Sequence, residues 1–430
     1  MEQAPRIVIV GGGIAGLELA TKLGDRLGRA GKAQVTLVDR SLAHAWKPIL
    51  HAFAAGTASP SQHRISFLDH ARRHHFRFWP GEMCGLDRDA RTVQLAPYLL
   101  PDGKAELPSY ALGYDVLVIT AGSRTNDRAT PGVAEHCIYI DDLRDAELLN
   151  RRLVTELLCA IAGRRAMNLV VVGAGATGVE LAAELSRSFD IAVAYDAEMV
   201  RSRLKVTLVA HDPRILPGLP DAIANLADLR LRRAGVGIVI GAAVTAIRER
   251  QVELADGRRL GADIIVWAAG VKGPEFAGGL NGLGVTPTGQ LLVGPTLQTL
   301  ADERIFALGD CAKLEASTAG RSLPSTAQVA RQQARHLARQ LPAWLIGRAM
   351  RPFRYQDRGL LVSLAGYDAV GVVGHYGPLP GHFIRGRLAQ LSYAMLYRIH
   401  QIEVHGLKRG ALAWFADSVN RLAFGPIRLD

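Results

Sequence analysis

An α/β fold built from two similar strand–turn–helix–strand units is what this sequence predicts, and three observations carry the prediction. "RIVIVGGGIAGLELATKL" (Arg6 to Leu23) sets a run of β-branched apolar residues before a glycine-rich turn and a helical apolar pattern. "VVVGAGATGVELAAEL" (Val170 to Leu185) repeats the arrangement. The chain has 430 residues, enough for two or three domains with separate cores.

The elements follow in order. "RIVIV" reads as a buried strand, "GGGIAG" as the turn, Ala15 to Leu27 as a helix and "QVTLVDR" as the second strand. "YDVLVITAGS" (Tyr114 to Ser123) is a further apolar strand that ends in a small-residue turn at Ala121 and Gly122. The pattern restarts at Asn168 with a strand, "GAGATG", a helix and the strand "KVTLVAH" (Lys205 to His211). "ADIIVWAAGVKG" mirrors the Tyr114 strand and ends at Ala269 and Gly270. "RIFALGDCA" (Arg304 to Ala312) and a helical run from Pro324 to Gln340 come next. Arg187 to Arg203 lengthens the second helix-to-strand connection and reads as a local insertion. One unit thus sits within the continuation of the other. The expected domains are 1–140 with 290–375, then 141–289, and a C-terminal segment 376–430.

Composition narrows the class. The chain is 49% apolar and 6% aromatic, ordinary for a globular α/β protein. No uninterrupted apolar run approaches the ~18 residues of a membrane-spanning helix, and the N-terminus has no signal-peptide core, so a cytoplasmic location is expected. The cysteines, Cys84, Cys137, Cys159 and Cys311, form no close pair, which argues against a local redox disulfide or a zinc site; no metal is expected. The net charge of +11 favours anionic partners. The positive residues are dispersed, with no basic run interleaved with aromatics, so nucleic acid is not expected.

The glycine turns are dinucleotide-binding, Rossmann-like fingerprints. In Gly11-x-Gly13-x-x-Gly16 the first glycine allows the tight turn. The second lets backbone approach a pyrophosphate, and the third lets helix and strand pack. Ile14 and Ala15 open the helix. Asp39, 23 residues beyond Gly16, is placed to accept ribose hydroxyls, with Arg40 beside it. The second turn is Gly173-x-Gly175-x-x-Gly178, with Ala176 and Thr177 opening its helix. Its strand ends in Ala210 where an acid is expected. Either Asp212 or backbone substitutes and the nucleotide is NADH, or His211 and Arg214 pair with the 2′-phosphate of NADPH. Two such turns imply that one holds a flavin and the other delivers hydride to it.

At the C-terminus, Leu412, Phe415, Val419 and Leu422 recur at helical spacing with Lys408, Arg409 and Arg421 around them. The pattern fits an amphipathic helix in a membrane interface, a core-packing helix or a dimer contact.

The sequence resembles the type II NADH dehydrogenases, single-subunit, non-proton-pumping NADH:quinone oxidoreductases among the two-dinucleotide-binding flavoproteins. "GGGIAGLE", "HAWKPILHAFAAGT", "GAGATGVELAAEL", "RILPGLP", "WAAGVKGPEF", "PTLQT", "FALGDCA", "AQVARQ" and "LYRIHQIEVHG" carry the resemblance across essentially the whole chain. It implies a glutathione-reductase-like fold with a C-terminal amphipathic membrane-attachment segment. It also implies FAD on the first turn, NADH on the second and a membrane quinone as acceptor. The implied place is the cytoplasmic face of the inner membrane, peripheral, on an anionic surface, with a homodimer left open.

Residue roles follow from the resemblance. Asp310 of Gly309-Asp310 would bond the ribityl chain. Ala121, Gly122 and Ala327 would contact FAD, and Ala269 and Gly270 the nicotinamide nucleotide. Gln328 and Gln332, four apart on one helix face, would line the quinone site beside the flavin; otherwise they are exposed amides. Pro324 to Thr326 begins that helix, whose positive end would favour charge on the reduced flavin. Glu180 would serve near the nicotinamide and the quinone passage in positioning or proton supply, or else is a first-turn acid. Glu18 is its weaker flavin-side equivalent. Lys47 lines the flavin site or faces solvent. The rivals are an NADPH-preferring quinone reductase, a sulfide:quinone reductase needing paired cysteines such as Cys137 and Cys159, and a flavoprotein sensor without catalysis.

Overall fold

The computed structural model describes residues 4–59, 63–100, 106–195, 201–280, 282–315, 323–366, 368–374 and 381–423. Its principal helices, in chain order, are α1 (Ile14–Leu23), α2 (Leu50–Ala54), α3 (Leu143–Ala162) and α4 (Ala176–Tyr195). They continue with α5 (Asp221–Arg233), α6 (Ala327–Trp344), α7 (Gly386–His405) and α8 (Leu407–Ala423). Two compact units divide the chain. One comprises residues 1–46, 63–124 and 271–355, the other 47–62, 125–270 and 356–430. Residues 47–62, 125–140 and 356–375 therefore group with the second unit, although the sequence suggested the first; 271–289 group with the first unit rather than the second, and 376–430 with the second. The reason for 47–62 is apolar: Leu50, Phe53, Ala54 and Ala55 are buried in the second unit's core with Leu149, Leu181 and Val362.

The first unit holds an eight-stranded sheet. Arg6–Val10 lies at its heart, parallel to Gln34–Asp39 on one side and Val116–Ile119 on the other. Asp302–Ala307 pairs in parallel beyond Val116–Ile119. Ile7, Ile9, Leu37 and Leu117 are fully buried, as the continuous apolar runs of a sheet covered on both faces require. The helix after the first turn is shorter than its spacing suggests. Beyond Leu23 it widens into a π-turn over Gly24–Gly28. A Cβ on Gly24 or Gly28 would lie 2.1 Å from the carbonyl oxygen of His74 or His75, so the two glycines admit the close approach of that turn.

The second unit holds four parallel strands, ordered Val236–Val239, Leu204–Val209, Met167–Val172 and Ile264–Trp267. The Arg187–Arg203 segment is mainly extra helix: α4 runs on to Tyr195. Arg201 then ties the returning chain to it, donating to Asp190 at 2.6 Å and to Ser186 Oγ at 2.7 Å. Residues 196–200 lie outside the described residues. Gly359–Leu364 and Asp368–Val373 form an antiparallel pair, and α7 packs on it.

The polarity of α7 is inverted. Arg398 and Gln401 are buried and bond one another at 2.7 Å, while Leu391 is 65% exposed beside exposed Leu388, Met395 and Ile399. On α8, Leu412, Trp414, Phe415 and Val419 are exposed, as are Lys408 and Arg409. The side chains of Arg421 and Leu422 lie outside the described residues. Among the described residues no helix is long and apolar enough to cross a membrane.

Candidate active site

In the first unit, two of the three fingerprint glycines are fixed by protein sterics. Gly11 has φ +103°, and a Cβ there would lie 2.4 Å from the Thr120 carbonyl oxygen. A Cβ on Gly16 would lie 1.8 Å from the Gly11 carbonyl oxygen. Gly13 is different. It caps α1 at an ordinary φ of −64°, and a Cβ would meet no protein atom within 4 Å. Neither conformation nor packing demands glycine there. The open space faces the free N–H groups of the α1 terminus, and a dinucleotide pyrophosphate would fit it.

Around this turn, Asp39 accepts from the N–H groups of Gly12 and Ser41, the latter at 2.7 Å. Burial pushes its carboxyl above the usual carboxylate range. These two bonds leave the carboxylate with acceptor capacity for ribose hydroxyls. His44, buried, places Nδ1 2.9 Å from the Gly12 carbonyl oxygen. Arg40 pairs with Glu82 at 3.6 Å. Ala121 and Gly122 follow Val116–Ile119, with Gly122 at φ +70°.

The Gly309-Asp310 turn is equally organised. Gly309, at φ +73°, sits with its Cα against α6: a Cβ would lie 3.2 Å from Ala330 Cβ. Its N–H donates to Gln333 Oε1 at 2.7 Å. Ser123 Oγ donates to Asp310 Oδ2 at 2.9 Å, and Gln290 Nε2 to the Asp310 carbonyl at 2.9 Å. Helix α6 begins at Ala327, capped by Thr326, whose hydroxyl accepts from Val329 N–H. Pro324 therefore lies ahead of the cap rather than in the first turn. Gln332 Nε2 donates to Gln328 Oε1 at 3.3 Å, so the two amides do share a face. Arg335 reaches Glu18 at 2.6 Å, Arg331 at 3.3 Å and Lys22 at 3.8 Å, an ion-pair staple between α1 and α6.

The second unit repeats the turn. Gly173 has φ +109° and would clash with the Ala268 carbonyl; a Cβ on Gly178 would lie 1.8 Å from the Gly173 carbonyl oxygen. Gly175, like Gly13, has open space where a Cβ would point. Ala176 and Thr177 open α4. Ala210 is buried and engaged through backbone, donating to the Val239 carbonyl and accepting from Ala242 N–H. His211 and Asp212 are exposed. Arg214 is turned back on its own loop: it donates to the carbonyls of Pro217 and Leu219 at 2.9 Å each and pairs with Asp221 at 2.9 Å. Ala269 and Gly270 follow Ile264–Trp267, and the Gly270 carbonyl accepts from Asn126 N–H. Lys47 is exposed on a 3₁₀ turn.

Glu180 is buried in this unit among groups the sequence reading did not anticipate. Ser363 N–H donates to Oε1 at 3.0 Å, His51 Nδ1 stands 3.6 Å from Oε2, and Tyr393 shares a side-chain hydrogen bond with it. Burial raises its carboxyl to about 8 and lowers His51 to about 4, so both are uncharged at neutral pH. One turn along, Glu184 is buried and accepts from Thr57 Oγ1 at 2.7 Å; burial raises its carboxyl too.

Gln333 had a usable signal, because it falls on the buried stripe Val329, Ala330, Ala334, Leu337 of α6. His51 and Tyr393 had none, since they come from segments remote in sequence. The four cysteines are free, and burial lifts Cys137 and Cys311 to about 12.

Comparison with known proteins agrees with this geometry. Residues 5–334 match the family of pyridine nucleotide-disulphide oxidoreductases. A type II NADH:quinone oxidoreductase of Haemophilus influenzae is 37% identical, over 96% of this chain and 97% of its own. Among solved structures, NDH2 from Plasmodium falciparum in complex with NADH has a TM-score of 0.83 at 16% identity, covering 99% of both chains. The sulfide:quinone oxidoreductase of Aquifex aeolicus has a TM-score of 0.73 at 18% identity, covering 99% of this chain and 96% of its own. These two share the fold. The chain belongs to the pyridine nucleotide-disulphide oxidoreductases, within them to the type II NADH:quinone oxidoreductases, and is an oxidoreductase enzyme.

Proposed function

We propose that this chain passes electrons from NADH to a membrane quinone by way of FAD, with FAD on the Gly11–Gly16 turn and NADH on the Gly173–Gly178 turn. The observation that carries this reading is the pair of middle glycines, Gly13 and Gly175, whose lack of a side chain answers no need of the protein itself. When bound, the flavin takes up hydride from the nicotinamide and returns two electrons.

The protein's part is binding and electrostatics. Asp39 accepts the adenosine ribose, and Asp310, steadied by Ser123, meets the ribityl chain. The N-terminus of α6 would favour negative charge on a reduced flavin held beside it. Gln328 and Gln332 offer neutral amides to a quinone carbonyl, a hydrogen bond without a fixed charge. Glu180, neutral at pH 7, is the proton source. NADH is favoured over NADPH because Arg214 already spends its guanidinium on Pro217, Leu219 and Asp221.

The inverted α7 and the exposed apolar side chains of α8, flanked by Lys408 and Arg409, suit a peripheral seat on an anionic membrane, with the cytoplasmic face as its side. Free cysteines with thiols raised by burial leave sulfide chemistry without its dithiol.

The turns are told apart by Gly13→Val and Gly175→Val. The first should yield colourless protein; the second should stay yellow and raise the KM for NADH at least tenfold, about 1.4 kcal/mol. Retained FAD in Gly13→Val, or unchanged NADH kinetics in Gly175→Val, would contradict the assignment.

A further inference from the structure

We propose that Tyr393 is the positioning residue through which Glu180 releases and regains a proton, by moving its single hydroxyl hydrogen between the Pro48 carbonyl and the Glu180 carboxylate. This rests on the reading of Glu180 as proton source for the quinone half-reaction.

Tyr393 Oη lies 3.2 Å from the Pro48 carbonyl oxygen and is hydrogen-bonded to Glu180 as well. One hydroxyl cannot donate to both. When Glu180 is the neutral acid, its O–H donates to Tyr393 Oη, and Tyr393 donates to Pro48. Ser363 N–H serves Oε1. When Glu180 has given its proton away, Tyr393 turns its hydrogen onto the carboxylate, which then keeps two donors. Both charge states of a buried carboxyl are thus provided for, and neither leaves an orphaned donor on the acid.

The remaining groups facing Glu180 do not supply this service. His51 on α2 is held neutral by burial. Glu184, one turn along α4, adds repulsion to the ionised form, and Arg187 beyond it acts on Glu184. The step balances: the hydride that came from NADH supplies two electrons and one hydrogen to the quinone, the Glu180 O–H bond breaks to supply the proton for the second quinol O–H bond, and solvent returns a proton to Glu180.

Single-turnover reoxidation of the NADH-reduced enzyme by a soluble quinone, followed from pH 6 to 10, tests it in the wild type, Tyr393→Phe, Glu180→Gln and the double variant. Wild-type reoxidation should slow as pH rises through the Glu180 limb. Tyr393→Phe removes a charge-assisted donor from the carboxylate, so the proton is held more tightly. Its limb should move up by about one pH unit and its neutral-pH rate fall about tenfold. In the Glu180→Gln background the same change should do nothing further. An unmoved limb in Tyr393→Phe, or a loss that persists in Glu180→Gln, overturns the role of Tyr393. Reoxidation indifferent to Glu180→Gln at every pH overturns the underlying reading instead, and the proposal with it.

Discussion

The two glycine turns match in backbone and part company at the glutamate that follows each of them. Gly11 and Gly173 adopt φ of +103° and +109°, Gly16 and Gly178 press equally on the carbonyls of Gly11 and Gly173, and Gly13 and Gly175 are equally open. Two residues past the third glycine stand Glu18 and Glu180. Glu18 meets two guanidinium groups and an ammonium. Glu180 meets a neutral imidazole, a phenol and a backbone amide, and holds its proton to about 8. The same residue at the same place in the same motif is an ion-pair staple in one unit and a buried neutral acid in the other. The motif sets position; the elements packed over it set chemistry.

The steric half of this comparison predicts the largest effects. Gly16→Ala and Gly178→Ala each drive a Cβ into a carbonyl that belongs to the same turn, so each should cost 3 kcal/mol or more, on the order of a severe core clash. Chemical denaturation followed by circular dichroism reads the loss. With cofactor and nucleotide removed, Gly13→Ala and Gly175→Ala, with open space, should unfold within about 0.5 kcal/mol of the equally stripped wild type.

The glutamates should respond in opposite directions. In the unfolded chain Glu180 ionises above about 4.5, while in the folded protein it keeps its proton to about 8. Between these values the unfolded state releases a proton that the folded state retains. Stability that is fully present below pH 4.5 is therefore lost as pH rises toward 8, at up to about 1.4 kcal/mol per pH unit. Glu180→Gln should remove that slope and stabilise the protein at pH 8 relative to pH 5. Glu18→Gln should destabilise by about 1–3 kcal/mol, because it strips Arg331 and Arg335 of their partner. Denaturant midpoints of both variants at pH 5 and pH 8 decide the matter; the same sign for both would break the comparison.

The smallest effect belongs to the strand ends, Asp39 in one unit and Ala210 in the other. Arg214→Ala should change the ratio of NADPH to NADH turnover by less than about twofold, since the guanidinium is bound to its own loop. A marked loss of NADPH use alone would make Arg214 a specificity residue.

Much of this architecture is legible in the sequence because it is local. Strand, glycine turn and helix lie within twenty residues, and the periodicities that mark them are those of a single element. The pairing of Gln328 with Gln332 is legible for the same reason. What escapes is non-local. Nothing near Glu180 foretells that residues from α2, the Gly359–Leu364 strand and α7 close over it. Nothing near Glu18 foretells two arginines of α6. The π-turn at Gly24–Gly28 escaped because its glycines answer to the His74 and His75 carbonyls, not to their own helix.

Anaerobic stopped-flow absorbance of the yellow protein, with NADH first and a soluble quinone second, tests the central claim most directly. NADH should bleach the flavin in one rapid phase, and quinone should restore the colour with no other reductant or oxidant present. A flavin that NADH leaves oxidised, or one that stays bleached until something other than quinone is added, would contradict it.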